Sequence, residues 1–484
     1  MKDPWKPKPG DRVVRHPRQE QINPIHVTVS TRKVNSRAST SPLILIYALA
    51  SLITVGTIAL LLPFSHHGQG FTPFFDALFT ATSASTVTGL EIQNTATYWT
   101  RTGQIIIMSL MFIGGLGFMT TTIFLLVMIG QRVSLPQRLL IKENFGVHQI
   151  GGLVNLTVKI VLTVLILQLF GFIALFARFY FIYPLPDSIW HAIFHSVSSF
   201  NNAGFVILPA SSSLSGFQTD KLVLGITGIL IITGSIGYWT LLDIGRLKRF
   251  YLFSLNTKLV LISTIILILL GSLGFLISEY TNDATIGNLN LLDKISVSLF
   301  ESISGRTAGF STIDFGQTQK HTNFFVSALM FIGGASASVS GGIKINTIAI
   351  VILAIFATLQ NKKHSTAFGR EISQNQIERA MTIILIAIAF IFIATLLLTF
   401  SERNLLGLPG NEITFIDLLF EIISAVSTVG LSTGLTSEIS TLGQSIIMFC
   451  IFIGKIGPLA LALAMLQSTN APIYRFAQER VTIG

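Results

Sequence analysis

Charged side chains are scarce in this chain, where Asp, Glu, Lys and Arg make up 11% of 484 residues. Ordinary soluble domains carry roughly a quarter charged residues, so this composition excludes a water-soluble globular fold. Half of the residues are hydrophobic. We therefore expect an all-α membrane protein, because a helix satisfies its own backbone hydrogen bonds within lipid.

Cysteine and catalytic motifs are also scarce. The only cysteine, Cys450, lies inside the last apolar run, so a disulfide framework is excluded and the thiol is expected to behave as a small apolar group. His191 and His195 are four residues apart but lack the acid of a His-Glu-x-x-His motif, which favours a hydrogen-bonded histidine pair. A membrane-embedded enzyme is therefore the weaker alternative, and no cofactor is predicted. The lack of regularly spaced arginines along any span argues against a voltage sensor.

What the chain has instead is long apolar runs. A run of about 20 residues is long enough to cross ~30 Å of hydrocarbon as a helix. Eight such runs can be read, at 43–62, 104–129, 158–181, 222–242, 259–277, 324–355, 381–400 and 445–466. Eight spans place both termini on the same side of the membrane.

The basic residues indicate which side this is. The net charge is +10, and Lys and Arg are concentrated in residues 1–40 and in alternate connections, such as Arg246-Leu247-Lys248-Arg249. By the positive-inside rule these segments are cytoplasmic, so we expect a multi-pass cell-membrane protein with both termini inside. The basic tail is expected to contact anionic membrane lipids. Nucleic acid is not an expected partner, because no basic stretch is interleaved with aromatic residues.

A glycine turn recurs four times, each time after a short apolar helix that does not fully cross. The glycines, at intervals of roughly 105 to 120 residues, are Gly89, Gly204, Gly309 and Gly430. The short helices are expected at 73–85, 188–200, 291–304 and 413–425. We therefore predict eight transmembrane helices plus four re-entrant pore helices, in four M1-P-M2 repeats with pseudo-fourfold symmetry. The predicted repeats are 41–133, 134–250, 251–363 and 364–484, after a cytoplasmic basic tail at 1–40.

Such turns suit a cation pore. Irregular backbone at membrane depth must be buried in protein or line a wet cavity, and glycine adopts most cheaply the angles that point carbonyl groups inward. Four turns can replace the hydration shell of a cation, and the C-terminal ends of short helices entering from outside favour positive charge. Gly114, Gly115 and Gly117 are instead expected at close helix contacts. The predicted selectivity filter comprises Thr86, Val87, Thr88, Gly89, Asn201, Asn202, Ala203, Gly204, Thr307, Ala308, Gly309, Thr428, Val429 and Gly430.

A ten-residue segment in the sixth apolar run has little commitment to a helix. Gly, Ala and Ser in mid-membrane are expected to unwind beneath the filter, with a kinked, tightly packed helix as the alternative. The segment is Gly333, Gly334, Ala335, Ser336, Ala337, Ser338, Val339, Ser340, Gly341 and Gly342. Lys455, about eleven residues into the last span, is expected to project toward it, since an unpaired charge there costs at least ~2.5 kcal/mol; a lysine buried against a backbone carbonyl or a carboxylate is the alternative. We predict that this lysine raises the barrier to cations.

Five further charged residues have weaker assignments. Arg306 is expected behind the third turn, where hydrogen bonds from its guanidinium would brace the backbone. Glu301 and Glu421 are candidate partners for buried positive charge. Asp76 and Asp417, in the same register before their glycines, are expected to be helix N-terminal dipole partners rather than ion attractors.

These motifs together resemble the Trk/Ktr/HKT superfamily of potassium transporters. The matching filter segments are Thr-Val-Thr-Gly-Leu at 86–90, Asn-Ala-Gly-Phe at 202–205, Arg-Thr-Ala-Gly-Phe-Ser-Thr at 306–312 and Ser-Thr-Val-Gly-Leu-Ser at 427–432. Other matches are Gly-Gly-Ile-Lys at 341–344, Phe-Gly-Arg-Glu-Ile at 368–372 and Gly-Lys-Ile-Gly-Pro at 454–458. With eight spans, the chain is most similar to a Ktr-type membrane subunit.

The resemblance implies potassium uptake across the cell membrane, stimulated by or coupled to sodium as a symport, with the potassium ion held by the filter backbone. It also implies a homodimer, and a cytoplasmic RCK-type ring of nucleotide-binding subunits that moves the gating loop at 333–342. Glycine at all four filter positions resembles the potassium-selective members. A sodium-selective or poorly selective cation transporter of the same fold is the alternative. Lys455 stands where such relatives usually have arginine, which exchanges a planar fork for a point charge.

Overall fold

The computed structural model describes residues 43–117, 121, 127, 153–209, 213–247, 249–362, 364–403 and 413–457, and every structural statement below concerns these residues. The predicted tail at 1–40 lies outside them, as do the ends of the apolar runs at 104–129 and 445–466. The helices are α1 (Leu43–Leu61), α2 (Phe74–Thr86), α3 (Thr95–Tyr98), α4 (Arg101–Leu116), α5 (Leu153–Phe179), α6 (Leu185–Phe200), α7 (Lys221–Ser235), α8 (Tyr238–Leu247), α9 (Leu255–Glu279), α10 (Leu291–Thr307), α11 (Lys320–Phe331), α12 (Ile345–Leu359), α13 (Gln374–Ser401), α14 (Phe415–Val426) and α15 (Thr441–Ile456). One antiparallel hairpin pairs β1 (Thr366–Ala367) with β2 (Arg370–Glu371), and short 3-10 turns occur at Ser215–Phe217, Phe250–Leu252 and Leu435–Ser437.

Three described helices are long and apolar enough to cross a membrane. They are Val154–Phe179, Leu255–Glu279 and Gln374–Ser401. A fourth span results if α7 and α8, which meet at a bend of 99°, form one broken span. Shorter apolar helices lie at Ile46–Leu61, Arg101–Leu116, Ile345–Leu359 and Thr441–Ile456. The chain is thus mostly helical, as expected, while the count of eight spans stays a prediction.

The helices pack as four similar groups of three. In each group the first helix, a short helix and the helix after the turn contact one another: α1 with α2 and α4, α5 with α6 and α7, α9 with α10 and α11, and α13 with α14 and α15. The third helix of each group also packs against the short helix of the next group, and α15 packs against α2. The short helices therefore lie at the centre of the bundle. Each carries a fully buried phenylalanine, namely Phe79, Phe194, Phe300 or Phe420.

Polar contacts join the first and third helices within each group at the end near the turns. In all four groups the N-cap residue of the third helix takes part: its backbone N–H donates in three of them, and in the second group its Asp220 carboxylate accepts from Arg178. The pairs are Ser65 with Thr100, Arg178 with Asp220, Glu279 with Gln319 and Glu402 with Ser440. The recurrence of this tie places the start of each third helix beside the end of the first helix of its own group.

Ion pairs join neighbouring groups at the same end. The first residue of the third helix is basic in three groups and pairs with an aspartate in the first turn of the next short helix. These pairs are Arg101 with Asp187, Lys221 with Asp293 at 3.0 Å, and Lys320 with Asp417 at 2.8 Å. We call each contact between neighbouring groups a seam. At the fourth seam, between the fourth and first groups, the corresponding residues are Thr441 and Asp76, and the Asp76 carboxylate accepts a hydrogen bond from Gln93 instead. Among the described residues, three of the four seams therefore carry an ion pair.

The helices after the turns are interrupted more often than predicted. The run at 222–242 was expected to be continuous, but Gly237 has a φ of 91° and the Tyr238 N–H donates to the Ala337 carbonyl. This tertiary hydrogen bond diverts the chain between α7 and α8. The run at 324–355 is non-helical from Ile332 to Lys344, as its Gly, Ala and Ser content predicted.

The other two third helices end at glycines with left-handed backbone. Gly117 follows α4 with a φ of 82°, and Gly457 follows α15 with a φ of 90°. Gly117 therefore ends α4, since residues other than glycine adopt this φ only at a cost. A Cβ on Gly117 would meet none of the described atoms within 4 Å, so its predicted role as a packing contact is wrong. Gly114 does lie at a close contact, since a Cβ there would overlap the Ser85 carbonyl oxygen.

Candidate functional site

The four predicted turns meet around one cavity. Their glycines all line a single space of about 390 Å³: Gly89, Gly204, Gly309 and Gly430. Each has a positive φ, between 75° and 94°, a region that L side chains avoid. All predicted filter residues in the four turns are buried. The structure therefore brings together segments that lie more than three hundred residues apart in the chain.

The turns contact one another in a closed ring. A Cβ atom placed on any of the four glycines would lie closer than 3.0 Å to the carbonyl oxygen of the residue before the next glycine. The contacts join Gly89 to Ala203, Gly204 to Ala308, Gly309 to Val429 and Gly430 to Thr88. They follow chain order, and the fourth turn closes on the first. Glycine is thus required here both by backbone angle and by the approach of a neighbouring carbonyl group.

A buried serine in the last turn of each short helix fixes the glycine turn that follows. The Ser83 and Ser424 hydroxyls accept from the N–H of Gly89 and Gly430, at 3.0 and 3.1 Å. In the other two turns the serine hydroxyl donates to the carbonyl after the glycine, Ser198 to Phe205 and Ser304 to Phe310. Sequence analysis missed these serines. The signal was a Phe-x-x-x-Ser pattern shared by all four short helices, ending at Ser83, Ser198, Ser304 and Ser424.

The third turn is built differently from the others. In turns one, two and four, the residue two before the glycine has a left-handed φ of 59°, 54° or 48°, at Val87, Asn202 and Thr428. In the third turn the helix continues to Thr307, and Ala308 has a φ of −129°. The third turn is therefore one residue shorter between its serine and its glycine.

The predicted gating segment lies directly against the fourth turn and shares a contact at Gly115 with the second turn. A Cβ on Gly341 would overlap the Thr428 hydroxyl, and the Ser427 carbonyl oxygen would be 3.0 Å away. Val339 packs against Gly115 of α4, which also faces the Asn201 side chain. The segment is held at the end of α7, where the Ala335 N–H donates to the Ser235 carbonyl at 2.8 Å. Residues 333–342 thus fill the space between the ring and the break at α7 and α8.

Two lysines bind successive carbonyl groups of this segment. The Lys455 Nζ donates to the Val339 carbonyl at 3.0 Å, which places it beside the segment as expected. Lys344, the N-cap of α12, donates to the Ser340 carbonyl in the same way. Two lysine side chains therefore contact neighbouring carbonyl groups of the predicted gating segment.

Comparison of the sequence with known proteins identifies the family of this chain. Residues 24–472 match the family described as TrkH, cation transport protein. The chain belongs to the TrkH family. It is 36% identical over 434 residues to the Ktr system potassium uptake protein B of Bacillus subtilis, which covers 90% of this chain and 95% of that protein. It is 34% identical to the potassium/sodium uptake protein NtpJ of Enterococcus hirae, over 95% of this chain and 100% of that protein.

The fold is that of a solved member. The structure of the potassium transporter TrkH from Vibrio parahaemolyticus aligns with a TM-score of 0.69 and 16% sequence identity, over 90% of this chain and 86% of that chain. The likeness extends well beyond the turns and covers nearly the whole helical bundle.

Arg306 of this TrkH-family chain is placed otherwise than predicted. Its side chain is 1% exposed and reaches the end of α7, where Nη2 lies 3.5 Å from the Ser235 hydroxyl. Among the described residues, its Nε and Nη1 atoms have no hydrogen-bond partner. Because the Ser235 carbonyl also holds Ala335, the arginine contacts the anchor of the gating segment rather than the turn it was expected to brace.

Glu301 and Glu421 also have partners that sequence analysis did not assign. Both were candidates for pairing with buried positive charge, but their oxygens accept from the chain that follows the glycine turns. Glu301 accepts from the N–H and hydroxyl of Thr312, each at 2.7 Å. Glu421 accepts from the Thr433 N–H at 2.9 Å and from three hydroxyl groups. In this TrkH-family site, the Glu301 and Glu421 carboxylates thus lie behind the turns, whereas Glu91 and Asp314 line the cavity.

The histidine pair of α6 is not arranged as a metal site. The His195 Nδ1 contacts the His191 backbone carbonyl at 2.7 Å, and its Nε2 accepts from the Ile207 N–H at 3.4 Å. Both ring nitrogens of His195 are therefore engaged with backbone. The predicted histidine hydrogen bond exists, but it joins ring to backbone rather than ring to ring.

Proposed function

We propose that this chain takes up potassium ions across the cell membrane through the ring of four glycine turns. The observation that carries the proposal is the closed ring itself, in which four backbone segments face one cavity with no side chain between neighbours. Relatives named as potassium uptake proteins, matched over nearly their full length, support the ion. The cargo ion would be held by backbone carbonyl groups of the four turns, as in other cation filters.

The placement of the short helices supports a preference for cations. α2, α6, α10 and α14 all end at the ring, and a helix C-terminus carries roughly half a negative charge. Four such ends around one cavity stabilise a positive ion without a ring of carboxylates. The serine hydroxyls and the carboxylates behind the turns add to this bias by fixing the backbone dipoles. A transporter that also carries sodium is the second candidate, supported by the relative named as a potassium/sodium uptake protein.

We assign the chain four repeats of spanning helix, pore helix and spanning helix, with eight spans and pseudo-fourfold symmetry. The contacts between groups and the three corresponding ion pairs support this assignment. The proposed repeat boundaries are 41–133, 134–250, 251–363 and 364–484. The excess of basic residues at 1–40 supports a cytoplasmic position for both termini, with the ring near the outer surface.

Control of the pore is assigned to the segment at 333–342 with Lys455. The segment lies beneath the ring, and the lysine charge near its carbonyls opposes the passage of a cation until the segment moves. We further assign a homodimer and a regulatory RCK-type cytoplasmic ring, with sodium as a stimulating or coupled ion, from the resemblance to Ktr-type subunits. These assignments rest on the family and on the position of the segment.

Potassium-limited growth of an uptake-deficient host tests the proposal most directly. Wild type should restore growth at limiting potassium, and purified protein in liposomes should accumulate K⁺ in preference to Na⁺. Gly89→Ser places a side chain against the Ala203 carbonyl oxygen and should lower this preference. A wild-type protein that carries sodium but fails to restore growth would show that the assigned ion is wrong.

A further inference from the structure

Three turns of the ring share a brace that the first turn lacks. In turns two, three and four, the backbone N–H three residues after the glycine donates to a side chain at one register position of the preceding short helix. The donors are Ile207, Thr312 and Thr433, and the acceptors are His195, Glu301 and Glu421. Each acceptor follows the buried phenylalanine of the Phe-x-x-x-Ser pattern, three residues before the serine.

We infer that His195, Glu301 and Glu421 are positioning residues for ion selection, each holding the chain that leaves its glycine turn at a fixed distance from the pore helix. The inference rests on the proposed function, because it assigns a role within the potassium pathway. None of the three side chains lines the cavity of the ring. They act on the ion only through the carbonyl groups of the turns.

The geometry separates this role from general packing. In turns two, three and four, the serine binds the glycine N–H or the carbonyl after the glycine, and the brace binds an N–H two or three residues further along, so the limb leaving each turn has two anchors on one helix. Glu421 is fully buried and accepts from four donors, contributed by Ser432, Thr433 and Thr436. Removing a buried acceptor that several donors share leaves those donors unsatisfied, which costs more than the net contribution of the hydrogen bonds themselves. A side chain placed only to fill space would not collect donors from the exit limb of the turn.

The first turn supplies an internal control. The residue at the brace position of α2 is Thr80, which is 3% exposed and, among the described residues, makes no hydrogen bond to the chain after Gly89. Within the chain that follows Gly89, the Glu91 carboxylate accepts from the Thr95 N–H at 2.9 Å. The first turn therefore has its serine anchor but not its helix brace. We expect substitutions at Thr80 to leave ion selection unchanged.

The experiment compares Glu421→Ala, Glu421→Gln and Thr80→Ala in liposomes, by measuring the KM and Vmax of K⁺ uptake and the ratio of K⁺ to Na⁺ transport. Glu421→Ala should raise the KM for K⁺ roughly tenfold and lower the ratio by a similar factor, since the acceptor of four hydrogen bonds is lost. Glu421→Gln keeps an acceptor oxygen in place and should recover most of both values. Thr80→Ala should stay within about twofold of wild type.

Several outcomes would overturn the inference. One is a folded Glu421→Ala protein whose KM and ion ratio match those of Thr80→Ala. Another is a glutamine variant no better than alanine, which would point to lost charge or volume instead of a positioned acceptor. If Glu421→Ala fails to fold, Thr436→Val removes a single donor to Glu421 and must still lower the ratio of K⁺ to Na⁺ transport. A wild-type protein without K⁺ uptake would contradict the proposed function, whatever the variants do.

Discussion

Replacing Gly430 by alanine should abolish potassium uptake, whereas the same change at Gly434 should not. The two glycines lie four residues apart and have nearly the same backbone, with φ values of 94° and 91°. Both variants therefore carry the same conformational cost of about 1–2 kcal/mol for an L-residue in the left-handed region. Gly434 has no atom within 4 Å of its added Cβ, so this cost is the whole effect there.

At Gly430 a second effect is added. The new Cβ would lie well inside 3.0 Å of the Thr88 carbonyl oxygen and 3.1 Å from the Gly89 Cα. Both atoms belong to the backbone of the first turn, so no side chain can rotate away, and the first and fourth turns must move apart by about 1 Å. Functional groups need to be held within about 0.5 Å of their working geometry, so the shifted carbonyls should no longer bind the ion.

The assay is K⁺ uptake into liposomes, with purified variants matched for oligomeric state and thermal unfolding. Gly434→Ala should stay within about threefold of wild type, and Gly430→Ala should fall by about a hundredfold or more. The pair is informative because both variants share the cost of the left-handed backbone and differ in the contact with the first turn. If Gly430→Ala transports as well as Gly434→Ala, the closed ring is not the ion pathway and the reasoning from glycine contacts fails.

Three further predictions concern charged groups around the ring. Lys455→Ala should raise cation flux or relax the exclusion of sodium, because the Val339 carbonyl loses its cationic donor. Lys455→Arg should keep the barrier. Equal flux in the two variants would contradict this prediction. Lys320→Met should remove the ion-pair partner of the buried Asp417 and lower the free energy of unfolding by roughly 1–2 kcal/mol, after allowance for solvent screening of the half-exposed lysine. The measurement is the unfolding temperature in detergent, which should be lower than for Lys320→Arg. Burial raises the pKa of Glu91, in the outer loop at the cavity, to about 7. Its carboxylate is then charged above that pH and neutral below it, so uptake at limiting K⁺ should decline as pH falls through 7, and Glu91→Gln should transport with a flat pH profile.

The positions of the four turns could be predicted because their cause is local. Each glycine has a φ that only glycine adopts cheaply, and four such turns after short apolar helices leave a spacing that can be read directly. The ring contacts themselves could not be read from the sequence. They join carbonyl oxygens of residues as different as Thr88 and Val429, whose side chains carry no sign of the contact.

The breaks after α7 and α4 show what hydropathy cannot predict. Gly237 and Gly117 do not lower the apolar character of their runs, so a continuous span was expected through both. The break at Gly237 depends on the Tyr238 N–H finding the Ala337 carbonyl, a partner about a hundred residues away. Arg306 was misplaced for the same reason, since its contact at Ser235 belongs to another repeat.

Because one chain supplies all four turns, each contact of the ring is encoded once. In a pore made of four identical subunits, any substitution is repeated four times and its effect on the ion is multiplied accordingly. Here the shorter third turn, the unbraced first turn and the seam without an ion pair are each single departures, confined to one quadrant. Mutation can therefore adjust ion preference in small independent steps, one quadrant at a time.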